Sequence, residues 1–386
     1  MMNQEIEKDI DRAVDAFRSI LFEQYERNQR MRCEKLNEPL SDDRLVIGLA
    51  EGDGIGPVIM KSVKSVLFRL LSKEMRERLL EFRDISGFTI EERLASGETV
   101  PRDVMNQIKG CDAILKGPTT TPNATMDGKN LESANVYLRK ALDLYANVRP
   151  VRVPSEGIDW TFFRENTEGE YALGNRGVSL GTDLSVDFKV TTMEGSKRIA
   201  RAAYEFARKN GKKRVSIVTK ANIMKKTDGE FQKICLEVAS EYPEIETDCW
   251  FVDIMAANLV NKTIRNKFEV FLLPNLYGDI ITDEAAQIQG GVGTAGSANI
   301  GNKHAIFEAI HGSAPRMVEE GIAHLANPSS LMTAAVLMLR HIGFGDKANR
   351  LEEAIGRAKE ELGSRMTGLP GGASCEDFAK IVQENI

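Results

Sequence analysis

After residue 44 the chain alternates short apolar runs with amphipathic segments of helical period, and that alternation limits its fold more than any other property. Leu45-Val-Ile-Gly-Leu-Ala50, Asp112-Ala-Ile-Leu-Lys116, Arg214-Val-Ser-Ile-Val-Thr219, Phe268-Glu-Val-Phe-Leu-Leu273 and Ala305-Ile-Phe-Glu-Ala-Ile310 read as strands. Helical spacing predicts helices over 57–71, 195–209, 226–241, 329–342, 347–362 and 376–385, with Pro57 in the first turn, where a missing N–H does no harm. Strands and helices in alternation predict an α/β fold with helices covering a sheet. A chain of 386 residues buries a large core and is usually split into about two domains.

Residues 1–44 depart from the alternation. Ile6, Ile10, Ala13, Val14, Phe17, Ile20 and Leu21 form an apolar stripe among charges, which predicts an added amphipathic helix. The polar stretch Glu38-Pro-Leu-Ser-Asp-Asp43 after it reads as a linker. The helix is expected to pack on its own domain or on a partner.

Charge and cysteine content remove several classes. With 57 acidic and 51 basic residues and no long basic tract, the chain offers no nucleic-acid footprint. Five cysteines with no CxxC pair give no zinc signature and suit a reducing compartment. No run of eighteen apolar residues and no apolar N-terminal signal is present, so a cytoplasmic protein without nucleic-acid or membrane partners is expected.

Two stretches carry chemistry. In the segment 131–150, Ser133, Asn135, Arg139 and Arg149 lie where a helix enters a strand. Ser133 and Asn135 can cap a helix, and single arginines often serve in ion pairs. Repeated guanidinium forks, each matching a carboxylate through two parallel hydrogen bonds, also suit an anion with more than one carboxylate. In Pro274-Asn-Leu-Tyr-Gly-Asp279-Ile-Ile-Thr-Asp283, the two aspartates fall on one helix face at its N-terminal end, either as first-turn acids complementing the dipole or as metal ligands. Asp253, at the end of another predicted strand, adds the third carboxylate that a hard divalent cation would favour.

Together with Glu51-Gly-Asp-Gly-Ile-Gly-Pro57, Gly117-Pro-Thr-Thr-Thr-Pro122, Arg164-Glu-Asn-Thr-Glu-Gly-Glu-Tyr171, Lys220-Ala-Asn222, His311-Gly-Ser-Ala-Pro315 and Ala326-Asn-Pro328, these motifs span nearly all of the chain after residue 44. In number and order they resemble the β-decarboxylating dehydrogenases, the isocitrate/isopropylmalate dehydrogenase family, and its isocitrate branch most. The glycines of 52–56 are spaced GxGxGP and not GxGxxG, so a Rossmann reading fails.

The resemblance implies an isopropylmalate dehydrogenase-like two-domain fold. A large nucleotide-binding domain would comprise 45–144 and 290–386, and a small domain 145–289 would carry a dimer clasp near 172–190, with the active site in the cleft. Residues 1–44 stand outside as a helical extension. The implied reaction is metal-dependent oxidative decarboxylation of isocitrate with reduction of NAD(P), in a homodimer with shared active sites.

The implied roles follow the motifs. Mg2+ or Mn2+ would be held by Asp279, Asp283 and the partner's Asp253, with Asp279 also counted among the catalytic groups. The partner's Lys220 fits the base of the oxidation and Tyr171 the acid that protonates the product. Ser133 and Asn135 would contact the distal carboxylate of a tricarboxylate substrate, and Arg139, Arg149 and Arg164 the others. Thr121, Asn222, Glu308, His311, Gly312, Arg316 and Asn327 would meet the nucleotide, where Arg316 in place of the aspartate typical of NAD-linked members favours NADP over NAD.

Two departures leave alternatives. The loop 123–132 is longer than the glycine-rich loop usual in isocitrate enzymes, so homoisocitrate stays open, one methylene being worth only about 1–3 kcal/mol; 3-isopropylmalate is the further substrate alternative, though it would call for apolar residues where Ser133 and Asn135 stand. A non-catalytic regulatory subunit is the rival of another class, although such homologues usually lose the lysine, tyrosine or acids that this chain keeps.

Overall fold

The computed structural model describes residues 2–33, 44–122, 131–173 and 176–386. The expected linker at 38–43, most of the loop 123–132, and Gly174 and Asn175 of the expected clasp lie outside the described residues. The chain divides into two compact units, a larger one of 37–151 and 285–386 and a smaller one of 1–36 and 152–284.

In chain order the strands are β1 (Leu45–Ala50), β2 (Leu80–Asp84), β3 (Ala113–Lys116), β4 (Ala146–Val153), β5 (Ile158–Glu165), β6 (Val178–Leu180), β7 (Leu184–Val186), β8 (Arg214–Thr219), β9 (Glu246–Phe251), β10 (Val270–Leu273), β11 (Gly296–Ile300) and β12 (Ala305–Ala309). The larger unit orders its strands β2-β1-β3-β12-β11-β4. Ile47 pairs with Ala113 and Ile306 with Ile114 in parallel register, whereas β11 runs antiparallel to both of its neighbours. Their continuous apolar sequences follow from burial on both faces, which parallel strands require. Ile114, Leu138 and Leu144 belong to one buried cluster with Phe88, Val104 and Ile108, which seats the helix Ala134–Ala141 against the sheet.

The smaller unit orders its strands β5-β10-β8-β9, all parallel. Its core is aromatic: the rings of Phe162 and Phe271 stack at 4.3 Å, and Trp160 meets Phe271 edge-on while its indole N–H donates to the Arg265 carbonyl at 3.1 Å. β6 and β7 form a separate antiparallel hairpin.

Predicted helices are found within a residue or two of expectation, for example Gly56–Leu70, Met193–Lys209 and Ser329–His341. Two readings need correction. Asp253 is not at a strand end: β9 closes at Phe251, and Asp253 lies in the first turn of the helix Val252–Val260. The helix carrying the other two aspartates begins at Asn275 and runs to Ile288, so Asp279 and Asp283 sit in its second and third turns and are not first-turn dipole partners.

The N-terminal helix runs from Met2 to Cys33 and belongs to the smaller unit. Of the expected apolar stripe only Ile20 is fully buried; Ile6, Ile10, Val14 and Leu21 are exposed. The docked face is instead partly polar, with Gln24, Arg27 and Asn28 turned inward, and Phe17 stacks on Phe188 at 5.0 Å. Among the described residues no helix is long and apolar enough to cross a membrane.

Candidate active site

In the larger unit, a cavity of about 130 Å³ gathers Asn135, Arg139 and Arg149 from one segment of the chain with Glu308, His311 and Gly312 from another, distant one. Lys116, Thr119 and Ser297 also line it. The floor is a buried charge cluster. The Lys116 ammonium donates to Glu308 Oε2 at 2.9 Å, Asn299 Nδ2 donates to Oε1 at 2.8 Å, and the Arg139 guanidinium lies 3.5 Å from that same oxygen. Burial alone would raise the Glu308 carboxyl, but Lys116 and Arg139 with these hydrogen bonds pull it down to about 2. Two cations around one carboxylate leave the cavity positive, which suits an anionic ligand.

Loops fix the rim. Gly52 and Gly54 adopt φ of 73° and 60°, and a Cβ on either would lie 2.1 Å from the Pro118 carbonyl oxygen or 2.0 Å from that of Ser313, so only glycine lets the three loops close on one another. Buried Asp53 accepts the N–H groups of Thr120 and Ile90 at 2.7 and 2.6 Å, and Thr120 shares a 2.7 Å hydroxyl contact with Ser313. Thr119 donates to Asn135 Oδ1 at 3.0 Å. His311 Nδ1 lies 2.9 Å from the Gly312 carbonyl, and burial lowers its pKa.

Other residues expected near substrate or nucleotide lie around this unit but do not line the cavity. Ser133 is the N-cap position of the helix Ala134–Ala141 yet makes no side-chain capping bond. Thr121 is exposed. Arg316 is 85% exposed and donates to Glu320 one turn on at 2.6 Å, while Asn327 accepts the Ser329 N–H at 2.9 Å where the next helix starts.

The smaller unit builds a second cluster around Arg164, which is fully buried at the end of β5. Its Nε and Nη2 donate to Asn275 Oδ1 at 2.9 and 2.6 Å, and its Nη1 pairs with Asp279. Tyr171 donates its hydroxyl to the other Asp279 oxygen at 2.8 Å and lays its ring 5.3 Å from the Arg164 guanidinium carbon. Gly278 makes room: a Cβ there would stand 2.5 Å from Arg164 Cγ. Asp283 follows one turn after Asp279 and is exposed.

Lys220 and Asp253 form a separate pair, Nζ to Oδ1 at 2.5 Å, and the bond from Lys220 lowers the Asp253 pKa. The Lys220 backbone N–H is held by buried Asp228 at 2.8 Å, and Asn222 is exposed in the turn beyond. Among the described residues no three His, Cys, Asp or Glu side chains of one chain come together as a metal cluster.

Sequence reasoning missed Lys116, Asn275, Asp53 and Glu168. Lys116 ends a strand whose pattern reads as plain core, and the role of Asn275 emerges only from a partner 111 residues away.

The family description "Isocitrate/isopropylmalate dehydrogenase" matches residues 46–382. The chain belongs to the isocitrate/isopropylmalate dehydrogenase family. An isocitrate dehydrogenase (NADP) of Rickettsia prowazekii (strain Madrid E) is 40% identical over 324 residues, 82% of this chain and 63% of that one. The chain thus spans under two thirds of the length of such relatives. An isocitrate dehydrogenase (NAD) catalytic subunit 5, mitochondrial, of Arabidopsis thaliana is 38% identical over 348 residues, 88% of this chain and 87% of its own length. The crystal structure of isocitrate dehydrogenase from Methylococcus capsulatus superposes with a TM-score of 0.77 at 34% identity, covering 88% of this chain and 99% of that one. The α/β, non-Rossmann fold expected of the isocitrate/isopropylmalate dehydrogenase family is therefore present. Residues before 46, including the N-terminal helix, lie outside the family match.

Proposed function

We propose that the chain is an isocitrate dehydrogenase that converts isocitrate to 2-oxoglutarate and carbon dioxide with reduction of NAD(P). The observation that carries this reading is the positive cavity where Asn135, Arg139 and Arg149 converge above Lys116, because a tricarboxylate needs several cationic forks and a polar contact for its distal carboxylate. The relatives' names support the same activity. Ser133 and Asn135 take the distal carboxylate, and Arg139, Arg149 and Arg164 the others. The larger unit binds the nucleotide through Thr121, His311, Gly312 and Asn327. Glu308, expected at the nucleotide, acts as the counter-ion that orients Lys116 and Arg139. NADP is favoured over NAD because exposed Arg316 offers a cation to a 2′-phosphate.

Asp279 and Asp283, one turn apart on a helix face, form a hard oxygen pair that fits Mg2+ or Mn2+, with the third carboxylate, Asp253, supplied by the partner. When bound, such a cation lowers the pKa of the substrate hydroxyl and stabilises negative charge on its oxygen. The partner's Lys220 would accept the hydroxyl proton of the substrate, and a bound nicotinamide nucleotide would supply the hydride acceptor for the oxidation. Loss of carbon dioxide leaves a carbanion equivalent, which Tyr171 protonates at carbon; its hydroxyl is already oriented by Asp279. The pairing of Lys220 with Asp253 favours a homodimer with shared sites, since one surface then delivers base and metal ligand together.

The test is Lys220→Met in the full chain. Turnover should fall by at least about a thousandfold, as for loss of a general base, while isocitrate binding by calorimetry and the melting temperature stay near the parent's. Turnover that survives would overturn the assignment.

A further inference from the structure

The N-terminal helix lies outside the family match, yet it reaches the turn that carries Tyr171. Arg27 Nη1 donates to Glu168 Oε1 at 2.9 Å and its Nη2 to Thr167 Oγ1 at 2.8 Å. Both acceptors are buried, within the segment between Arg164 and Tyr171. Glu168 also receives the backbone N–H of Thr192 at 2.9 Å, at the cap of the helix Met193–Lys209. Its carbonyl accepts Asn275 Nδ2 at 2.9 Å, and Asn275 is the residue that holds Arg164. One route of bonds therefore runs from Arg27 through Glu168 and Asn275 to Arg164, Asp279 and Tyr171.

The cluster needs its cations. Glu165 and Glu168 are both buried in the same turn, and Glu165 accepts the N–H groups of Thr167 and Glu168 at 2.9 and 2.6 Å. Facing them are Arg27 from the N-terminal helix and Arg198 from Met193–Lys209, the latter 3.1 Å from Thr167 Oγ1. Burial and the neighbouring Glu168 push the Glu165 carboxyl up to about 7 despite both arginines. Removing one cation from such a buried group leaves charge uncompensated, which the turn relieves by moving.

We propose that Arg27 is a positioning residue for the reaction: through Glu168 and Thr167 it holds the Glu165–Tyr171 turn in the geometry that Tyr171 and Arg164 need. The inference rests on the roles given to Tyr171 and Arg164 above. It also gives the added helix a task beyond covering surface, since the docked contact that reaches the turn is polar while the apolar residues Val14 and Leu21 stay exposed.

The test compares the parent with Arg27→Met, Arg27→Lys and Arg32→Gln, all in the full chain. Arg32 lies on the same helix and makes only an exposed pair with Glu194 among the contacts described, so its variant controls for loosening of the helix as a whole. Arg27→Met should lower kcat about tenfold, the scale of a small misplacement of reacting groups, with KM for isocitrate within about twofold. Amide hydrogen exchange by mass spectrometry should quicken in a peptide covering 165–173 and stay unchanged in β8. Arg27→Lys should recover most of both, and Arg32→Gln should change neither. Unchanged kcat in Arg27→Met, with or without faster exchange, would overturn the proposal, as would an equal effect from Arg32→Gln. If the parent itself reduces no nucleotide with isocitrate, the functional reading has failed, and unchanged exchange at 165–173 would separately reject the structural half.

Discussion

Glu308 illustrates how little a single residue's type says about its task. By motif it stands beside His311 and Gly312, and the resemblance assigns it to the nucleotide; by position it is a buried carboxylate between Lys116, Arg139 and Asn299. Breaking such a pair by removing one partner leaves two cations without compensation, at a cost of about 3–5 kcal/mol. Glu308→Gln should therefore lose about that much stability in urea unfolding at neutral pH. Because the carboxyl stands near 2 when folded against an ordinary 4.5, its contribution is present above about 4.5 and is lost as pH falls toward 2. The stability gap between parent and Glu308→Gln should accordingly shrink through that acid window, as repeated denaturant titrations would show. A constant gap would mean that the carboxylate contributes packing and not charge.

Among elements, the helix Asn275–Ile288 does most to organise the smaller unit's site, because one face presents Asn275, Gly278, Asp279 and Asp283 in successive turns. The four-residue spacing of the aspartates was legible in the sequence; the helix start was not, since Asn275 follows Pro274 and resembles a turn. Gly278 was silent for a different reason: its importance lies in the 2.5 Å that would separate an added Cβ from Arg164 Cγ, a tertiary distance. Gly278→Ala should displace Arg164 from Asn275 and Asp279, reducing kcat/KM for isocitrate about a hundredfold and stability by about 1–3 kcal/mol. Steady-state kinetics with a thermal melt would register both. The strands β1, β3, β8, β10 and β12 were readable because burial on both faces of a parallel sheet gives continuous apolar runs, and the long helices because their apolar residues recur at helical spacing; β2, β5, β6, β7 and β11 carry no such run that stood out. Asp253 was misplaced by two residues' worth of strand because β9 passes directly into a helix with no proline or glycine between them.

For the whole molecule, family and fold were carried by motifs spread between Glu51 and Pro328, whereas the contact of the N-terminal helix with the Glu165–Tyr171 turn was not readable. Arg27 and Glu168 are 141 residues apart, and neither lies in a pattern that marks a long-range pair. The proposed oxidative decarboxylation of isocitrate rests on the positive cavity of the larger unit and, separately, on the Tyr171, Asp279 and Lys220 groups of the smaller unit. Its most direct test is steady-state reduction of NADP and NAD by the purified chain with Mg2+, offering isocitrate, homoisocitrate and 3-isopropylmalate in parallel. Turnover is expected with isocitrate above the other two acids, and faster with NADP than with NAD. Turnover confined to another acid, or none with any of them, would contradict it.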